Sequence, residues 1–225
     1  MHGAFPSDGR RADARLMNAD PLRHGTPATA HELVILRHGE TEWNVARRWQ
    51  GALDSPLTAR GVRQAHALGA MFRRMGVGPG THRLLTSPQP RAWRTAELAF
   101  GSGAEPDPRL REIEVGGWTG WFLEEIMSHP RYPREPNLLN VYDAAPDGEG
   151  FDQLARRCAA VLRALDGPAI FVTHGITGRM LRLLALGLPI GELPEMPGGQ
   201  GVAFRIRAGC EEVLTPGDAD WAPAA

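Results

Sequence analysis

Short apolar runs alternate along this chain with stretches of helical period. Glu32-Leu33-Val34-Ile35-Leu36 has no polar alternation, the pattern of a strand covered on both faces in a parallel sheet. After Thr58, a capping residue, Val62, Ala65, Leu68, Phe72 and Met75 recur at helical spacing as far as Gly76, which predicts a core-facing helix. Arg83 to Thr86 predicts a second strand. Pro90 to about Phe100 predicts a helix with proline in its first turn, stopped by Gly101-Ser102-Gly103 and followed by a proline-rich loop. Phe151 to Leu165 returns to helical spacing, Ala169 to Thr173 predicts another buried strand, and Ile176 to Leu186 a helix closed by Gly187. Val202 to Ile206 and Glu212 to Thr215 predict a closing strand pair, and no internal repeat is present.

Strands alternating with helices predict an α/β fold, a three-layer sandwich whose mainly parallel central sheet is flanked by helices. In such sheets ligands sit beyond the carboxyl ends of the strands. Trp118 to Gly150 breaks the pattern: its periodicity is poor and it holds Pro130, Pro133, Pro136 and Pro146, so residues 118–150 predict a lid insertion over one end of the sheet. Residues 1–30, rich in Gly, Pro, Asp, Arg and Ala without period, predict a disordered amino-terminal extension, with Met17 as an alternative start; residues 31–225 form the expected domain.

A formal net charge of -1 supplies no global field for DNA, RNA or an anionic membrane, so no nucleic-acid or membrane partner is expected and anion recognition has to be local. No apolar run approaches the ~20 residues of a membrane span, and none at the amino terminus is long enough for a signal peptide, which predicts a cytoplasmic protein. Cys158 and Cys210 lack metal or redox-motif spacing and fit reduced thiols, with a single disulfide between them left open. All 25 basic residues are arginine, which excludes a Walker-type phosphate loop and lysine Schiff-base chemistry. Guanidinium is then the cation available for anions, although GC-rich coding also favours arginine without any functional cause.

Two predicted strands end in a histidine followed by glycine, Leu36-Arg37-His38-Gly39 and Val172-Thr173-His174-Gly175, and a third leads through Thr86-Ser87-Pro88-Gln89-Pro90 to Arg91. If the sheet is parallel, two histidines and two arginines converge at one edge. An anion stabilises such a cluster, and a phosphoryl group is the anion that imidazole and guanidinium both bind and stabilise in transfer. The arginines also depress a histidine pKa, keeping it nucleophilic at neutral pH. A proton for the leaving oxygen could come from Glu112 or Glu114 in Leu110-Arg111-Glu112-Ile113-Glu114. His38-Gly39-Glu40 contains the His-x-Glu of zinc deaminases but no Pro-Cys-x-x-Cys follows, and no His-Glu-x-x-His or strand-linked Gly-x-Gly-x-x-Gly occurs, so neither metal nor cofactor is expected. His24-Gly25, with no strand before it, predicts only a turn. Trp43, Trp49, Trp118 and Trp121 read as packing residues.

The run Leu36-Arg37-His38-Gly39-Glu40-Thr41-Glu42-Trp43-Asn44, with Gln50-Gly51, Asp54-Ser55-Pro56-Leu57-Thr58 and Gly61, resembles the opening block of the histidine phosphatase (phosphoglycerate mutase-like) superfamily. The resemblance continues through Ser87-Pro88, Arg91-Ala92, Thr95-Ala96, Glu112 with Gly116, Trp118 and Gly120, and Thr173-His174-Gly175, covering Glu32 to Gly187. It implies that His38 is the phosphorylated nucleophile, that Arg37, Arg91 and His174 hold the phosphoryl oxygens, and that Glu112 is the general acid, favoured over Glu114 because Gly116 follows it at the family spacing. It further implies that Asn44, Gln50, Gly51 and Gly175 bind substrate. Thr119, where many family phosphatases carry glutamate, and Gly150, where serine is common, depart from the pattern and bear on the lid.

The expected activity is metal-independent hydrolysis of a small-molecule phosphate ester. An alternative within the family is a mutase that passes the phosphoryl group to a sugar acid; the short interval between Glu112 and His174 and the absence of lysine argue against it. A catalytically silent phosphate-ester binding protein is the alternative of another class, opposed by a complete set of nucleophile and acid. Trp121, Arg131, Tyr132 and Arg134 are the insertion residues expected to meet the leaving group or face water. A homodimer stays open, because symmetry leaves no mark on a sequence.

Overall fold

The computed structural model describes residues 28–217. Six strands form one sheet: β1 (Leu33–Arg37), β2 (Arg83–Thr86), β3 (Glu105–Pro106), β4 (Ala169–Thr173), β5 (Ala203–Arg207) and β6 (Cys210–Leu214). Their spatial order is β3-β2-β4-β1-β5-β6. The first four in that row are mutually parallel, and β5 and β6 join antiparallel at one edge. The helices are α1 (Glu42–Val45), α2 (Ala59–Met75), α3 (Pro90–Phe100), α4 (Leu123–Met127), α5 (Leu138–Asp143), α6 (Gly150–Arg163) and α7 (Gly175–Leu186).

The α/β expectation is met, and the continuous apolar strands explain how. Successive residues of a strand face opposite sides of a sheet. Leu33 and Ile35 therefore pack with Leu154 and Cys158 of α6 and Met180 of α7, while Val34 and Leu36 pack with Leu68 and Phe72 of α2 and Ala92 and Ala96 of α3. Both faces are covered, giving three layers with the sheet in the middle. Each of these larger side chains contributes about 1.5–3 kcal/mol by leaving water.

β2, α3 and β4 coincide with the sequence reading, and Thr58 caps α2 by accepting from the Gly61 N–H at 3.0 Å. Four differences are instructive. Val62 is only half-buried and Met75 is exposed; the inward face of α2 is Gly61, Gln64, Ala65, Leu68, Met71 and Phe72, so the apolar stripe is rotated and Met75 belongs to the last turn. β3 lies inside the expected proline-rich loop; its two residues pair with β2 from the sheet edge, where Pro106 needs no ladder donor. The β5–β6 hairpin turns at Ala208 and Gly209, one to two residues away from the predicted bounds. Ala28, within the expected extension, donates its N–H to the Leu184 carbonyl at 3.0 Å and packs on the core, whereas residues 1–27, His24 among them, lie outside the described residues.

The segment 118–150 contains α4 and α5, and is anchored by the fully buried Trp118 and Ile126. Its first residues are stitched to the segment after β1. Gly120 N–H donates to the Trp49 carbonyl at 2.7 Å, Trp49 N–H to Trp121 at 2.8 Å, and Leu123 N–H to Arg47 at 2.9 Å. Cys158 is buried and Cys210 exposed, and both are free thiols. Among the described residues no helix is long and apolar enough to cross a membrane.

At Gly61 a Cβ would collide with the Glu40 carbonyl, whereas at Gly76, which ends α2 with φ 68°, a Cβ would meet nothing within 4 Å. Gly76→Ala should cost about 1–2 kcal/mol from its left-handed backbone alone. Gly61→Ala should cost more, about 1–3 kcal/mol of overpacking beyond any gain in helix propensity, together with a displaced loop after β1. Denaturant unfolding of both variants checks this; equal losses would show that the α2–loop contact is not tight.

Candidate active site

The register between β1 and β4 pairs Arg37 with Thr173, so the next residues, His38 and His174, leave the sheet side by side. Their ring centroids are 5.2 Å apart. The ladder extends one step further, His38 N–H donating to the Thr173 carbonyl at 2.9 Å. Pairing of Thr86 with Val172 brings Ser87 alongside, and its Oγ lies 2.8 Å from His174 Nε2.

Both imidazoles are buried, 2% and 1% exposed. Nδ1 of His38 is 2.8 Å from the Gly39 carbonyl oxygen. A carbonyl only accepts, so Nδ1 carries the proton and Nε2 keeps its lone pair. Burial, then the charges of Arg37 and Arg91, hold the His38 pKa well below its ordinary 6.5. Burial, then Arg91, does the same for His174. The pair is neutral at physiological pH.

Arg91 extends from the first turn of α3 and is itself buried. One terminal nitrogen donates to the Leu53 carbonyl at 2.8 Å and the Asp54 carboxylate at 3.1 Å, the other to the Gly51 carbonyl at 3.1 Å. Nε of Arg91, Nε of Arg37 and Nδ1 of His174 are buried and meet no hydrogen-bond partner among the described residues. Buried polar groups are nearly always satisfied, so three such atoms grouped with the unprotonated His38 imidazole make a pocket chemically suited to an anion.

The two carboxylates left open by the sequence are separated by the structure. Glu112 lies on the wall of a cavity of about 270 Å³ that His38, Arg37 and Arg91 also line. Its Oε1 accepts from the N–H groups of Ile113 and Thr177, both at 3.0 Å, and its Oε2 from Ile176 N–H at 3.2 Å. The carboxylate thus sits on the amino-terminal turn of α7, where exposed N–H groups favour negative charge. Its charge also opposes the effect of burial on Arg37 and Arg91. Glu114 is half exposed and pairs with Arg111 at 3.0 Å.

Asn44, Gln50 and Gly51 line the same cavity; His174 and Gly175 instead border a smaller adjoining cleft, Gly175 lying against the Arg37 guanidinium. Asn44 Oδ1 is occupied by Thr41 N–H at 3.1 Å and Gln200 Nε2 at 2.8 Å. Gln50 donates to Thr41 Oγ1 at 2.8 Å, and the Gly51 carbonyl accepts from Arg91 and from Gln89. These polar atoms brace the site as well as face it.

Sequence reasoning missed Gln89, Gln200 and Tyr142. Tyr142 lines the cavity and stacks on Trp49 with centroids 4.5 Å apart, and desolvation pushes its hydroxyl pKa up. Of the insertion residues expected at the leaving group, Trp121 packs against His129, and the cavity wall is formed instead by Trp43, Trp49, Leu123 and Tyr142. Trp43 carries the Arg48 guanidinium 3.9 Å above its ring, and Arg48 Nε donates to the Gly120 carbonyl. Only the aromatic character of the segment signalled this wall; which ring faces inward depends on the stitch between residues 47–49 and 120–123. Among the described residues no three His, Cys, Asp or Glu side chains are grouped to hold a metal ion.

Residues 33–209 match the model of the histidine phosphatase superfamily (branch 1). The probable phosphoglycerate mutase GpmB of Klebsiella pneumoniae is 37% identical over 167 residues, spanning 70% of this chain and 76% of that protein. Among solved structures, Bacillus stearothermophilus YhfR is 31% identical with a TM-score of 0.68, covering 84% of this chain and 98% of that one. A putative alpha-ribazole-5'-P phosphatase from Escherichia coli shares the fold, at 24% identity and a TM-score of 0.67 over 84% of this chain and 96% of that one.

The neutral histidine pair has a consequence for stability. The folded state holds His38 and His174 unprotonated to well below pH 6.5, whereas the unfolded chain protonates them near about 6.5. Their contribution is therefore full above that pH and lost as pH falls below it, by up to about 1.4 kcal/mol per pH unit for each histidine. Denaturant unfolding between about pH 7 and pH 5 should show a shallower pH dependence for His174→Gln than for the wild type; parallel curves would rule the linkage out.

Proposed function

Because the chain belongs to the histidine phosphatase superfamily (branch 1), whose members are enzymes that use a histidine nucleophile, we propose that it hydrolyses a small-molecule phosphate monoester through a phosphohistidine at His38. The observation that carries this reading is the set of unpartnered buried donors, Arg37 Nε, Arg91 Nε and His174 Nδ1, around an imidazole whose free lone pair is on Nε2.

In the first step the ester binds as its monoanion and passes its proton to the Glu112 carboxylate; Nε2 of His38 attacks phosphorus, the bond from phosphorus to the ester oxygen breaks, and the leaving oxygen takes that proton from Glu112. The charge on the modified imidazole is met by its Nδ1–H bond to the Gly39 carbonyl. In the second step water attacks phosphorus, its proton passes to the Glu112 carboxylate, and the N–P bond breaks to release phosphate and neutral His38. Arg37 and Arg91 stabilise the equatorial oxygens throughout, and His174 offers Nδ1–H while Ser87 satisfies Nε2. Arginine supplies here the positive charge that a metal would otherwise provide. Two free thiols support a reducing, cytoplasmic setting.

The likeness to proteins named probable phosphoglycerate mutase supports a second reading, transfer of the phosphoryl group to a sugar-acid hydroxyl instead of water. Release of p-nitrophenol from p-nitrophenyl phosphate in excess chelator, against a mutase assay on phosphoglycerate, separates the two. Hydrolysis is expected to persist with chelator, to vanish in His38→Ala, and to fall by about 10²–10³-fold in Arg91→Ala. Glu112→Gln should cost about 10²–10⁴-fold on an alkyl phosphate and much less on the nitrophenyl ester, whose leaving group needs little proton assistance. An unchanged rate in His38→Ala would refute the phosphohistidine route.

A further inference from the structure

Gln89 stands at the residue before α3, where a side chain ordinarily caps the helix, and it does not cap it. Its amide is used across the site instead. Nε2 donates to the Gly51 carbonyl at 2.8 Å, and Oε1 accepts from the Glu112 N–H at 2.9 Å. These partners are 38 and 23 residues away in sequence. The Gly51 carbonyl is the same oxygen that receives the Arg91 guanidinium at 3.1 Å. One amide therefore connects the backbone under Glu112 to the acceptor that aims Arg91.

We infer that Gln89 is a positioning residue for phosphoryl transfer, holding Glu112 and Arg91 in a common frame so that proton donation and oxygen stabilisation act on the same phosphoryl group. The inference rests on the reading of His38, Arg91 and Glu112 given above. The two bonds require opposite polarity at the two ends of one planar group, a donor toward Gly51 and an acceptor toward Glu112. An amide meets that requirement at every pH, and a carboxyl group meets it only when protonated, with its hydroxyl toward Gly51. An ionised carboxylate would set an acceptor against the Gly51 carbonyl, and a leucine would leave the Glu112 N–H and the Gly51 carbonyl without this partner.

This asymmetry supplies the test. Steady-state kinetics on an alkyl phosphate are compared for wild type, Gln89→Leu and Gln89→Glu between about pH 8 and pH 4, with melting temperatures measured in parallel. Gln89→Leu should lower kcat by about 10- to 100-fold at all pH values, with a smaller change in KM. Gln89→Glu should resemble it near neutrality and recover toward wild type as pH falls and its carboxyl is protonated, while the Leu variant stays low. A Leu variant within about two-fold of wild-type kcat overturns the inference and leaves the phosphohistidine reading intact. Loss in both variants with no recovery at low pH also overturns it, since the side chain then only fills space. A wild type that neither hydrolyses the ester nor labels His38 would remove the reading on which the inference stands, and the inference with it.

Discussion

Five residue pairs join β1 to β4, the last being Arg37 opposite Thr173, and the chain leaves both strands at histidine. Because the strands are parallel and adjacent, the two imidazoles emerge on neighbouring tracks without any loop having to search for the other. A slip of one residue would turn every side chain of β1 to the other face, exchanging Leu33 and Ile35 for Val34 and Leu36 between two different cores. The packing of both layers therefore guards the alignment of the site. β2, on the far side of β4, adds Ser87 and the start of α3 from the same edge, which puts Arg91 within reach.

Burial makes this cluster electrostatically demanding. Two arginines and two histidines removed from water repel one another, and the fold relieves the repulsion by keeping the histidines neutral and by giving Arg91 the carboxylate of Asp54 and the carbonyls of Leu53 and Gly51. Glu112 is the opposing charge that lines the cavity, and it is held by backbone N–H groups at the start of α7. The geometry is thus made by main-chain atoms as much as by side chains, and main-chain positions are rigid where strands and helix ends define them.

What the sequence revealed follows from this division. Strand ends, their histidines and Arg91 were legible because periodicity locates strands and helices, and a mainly parallel sheet orients their carboxyl ends. Elements of two to six residues, such as α1, β3 and α5, were not, because so few positions carry no period; tertiary contacts hold them, as the Trp49–Tyr142 stack does for α5. The family resemblance favoured Glu112 over Glu114 through the position of Gly116; in the structure Glu112 lines the cavity against the start of α7, and Glu114 pairs with Arg111. The bridging amides of Gln89 and Gln200 leave no trace in a linear pattern, since each joins segments brought together only by the finished fold.

The two cysteines differ in a way that chemistry can exploit. Cys158 is sealed in the core on the buried face of α6, and burial pushes its thiol pKa up to about 12, so almost none of it is thiolate near neutrality. Cys210 opens β6, the outermost strand on the antiparallel side, and is exposed. A maleimide fluorophore or spin label thus has one ready attachment point among the described residues, on a strand separated from β1 by β5. The natural chain carries a reporter position remote from the histidines, with no engineered thiol needed.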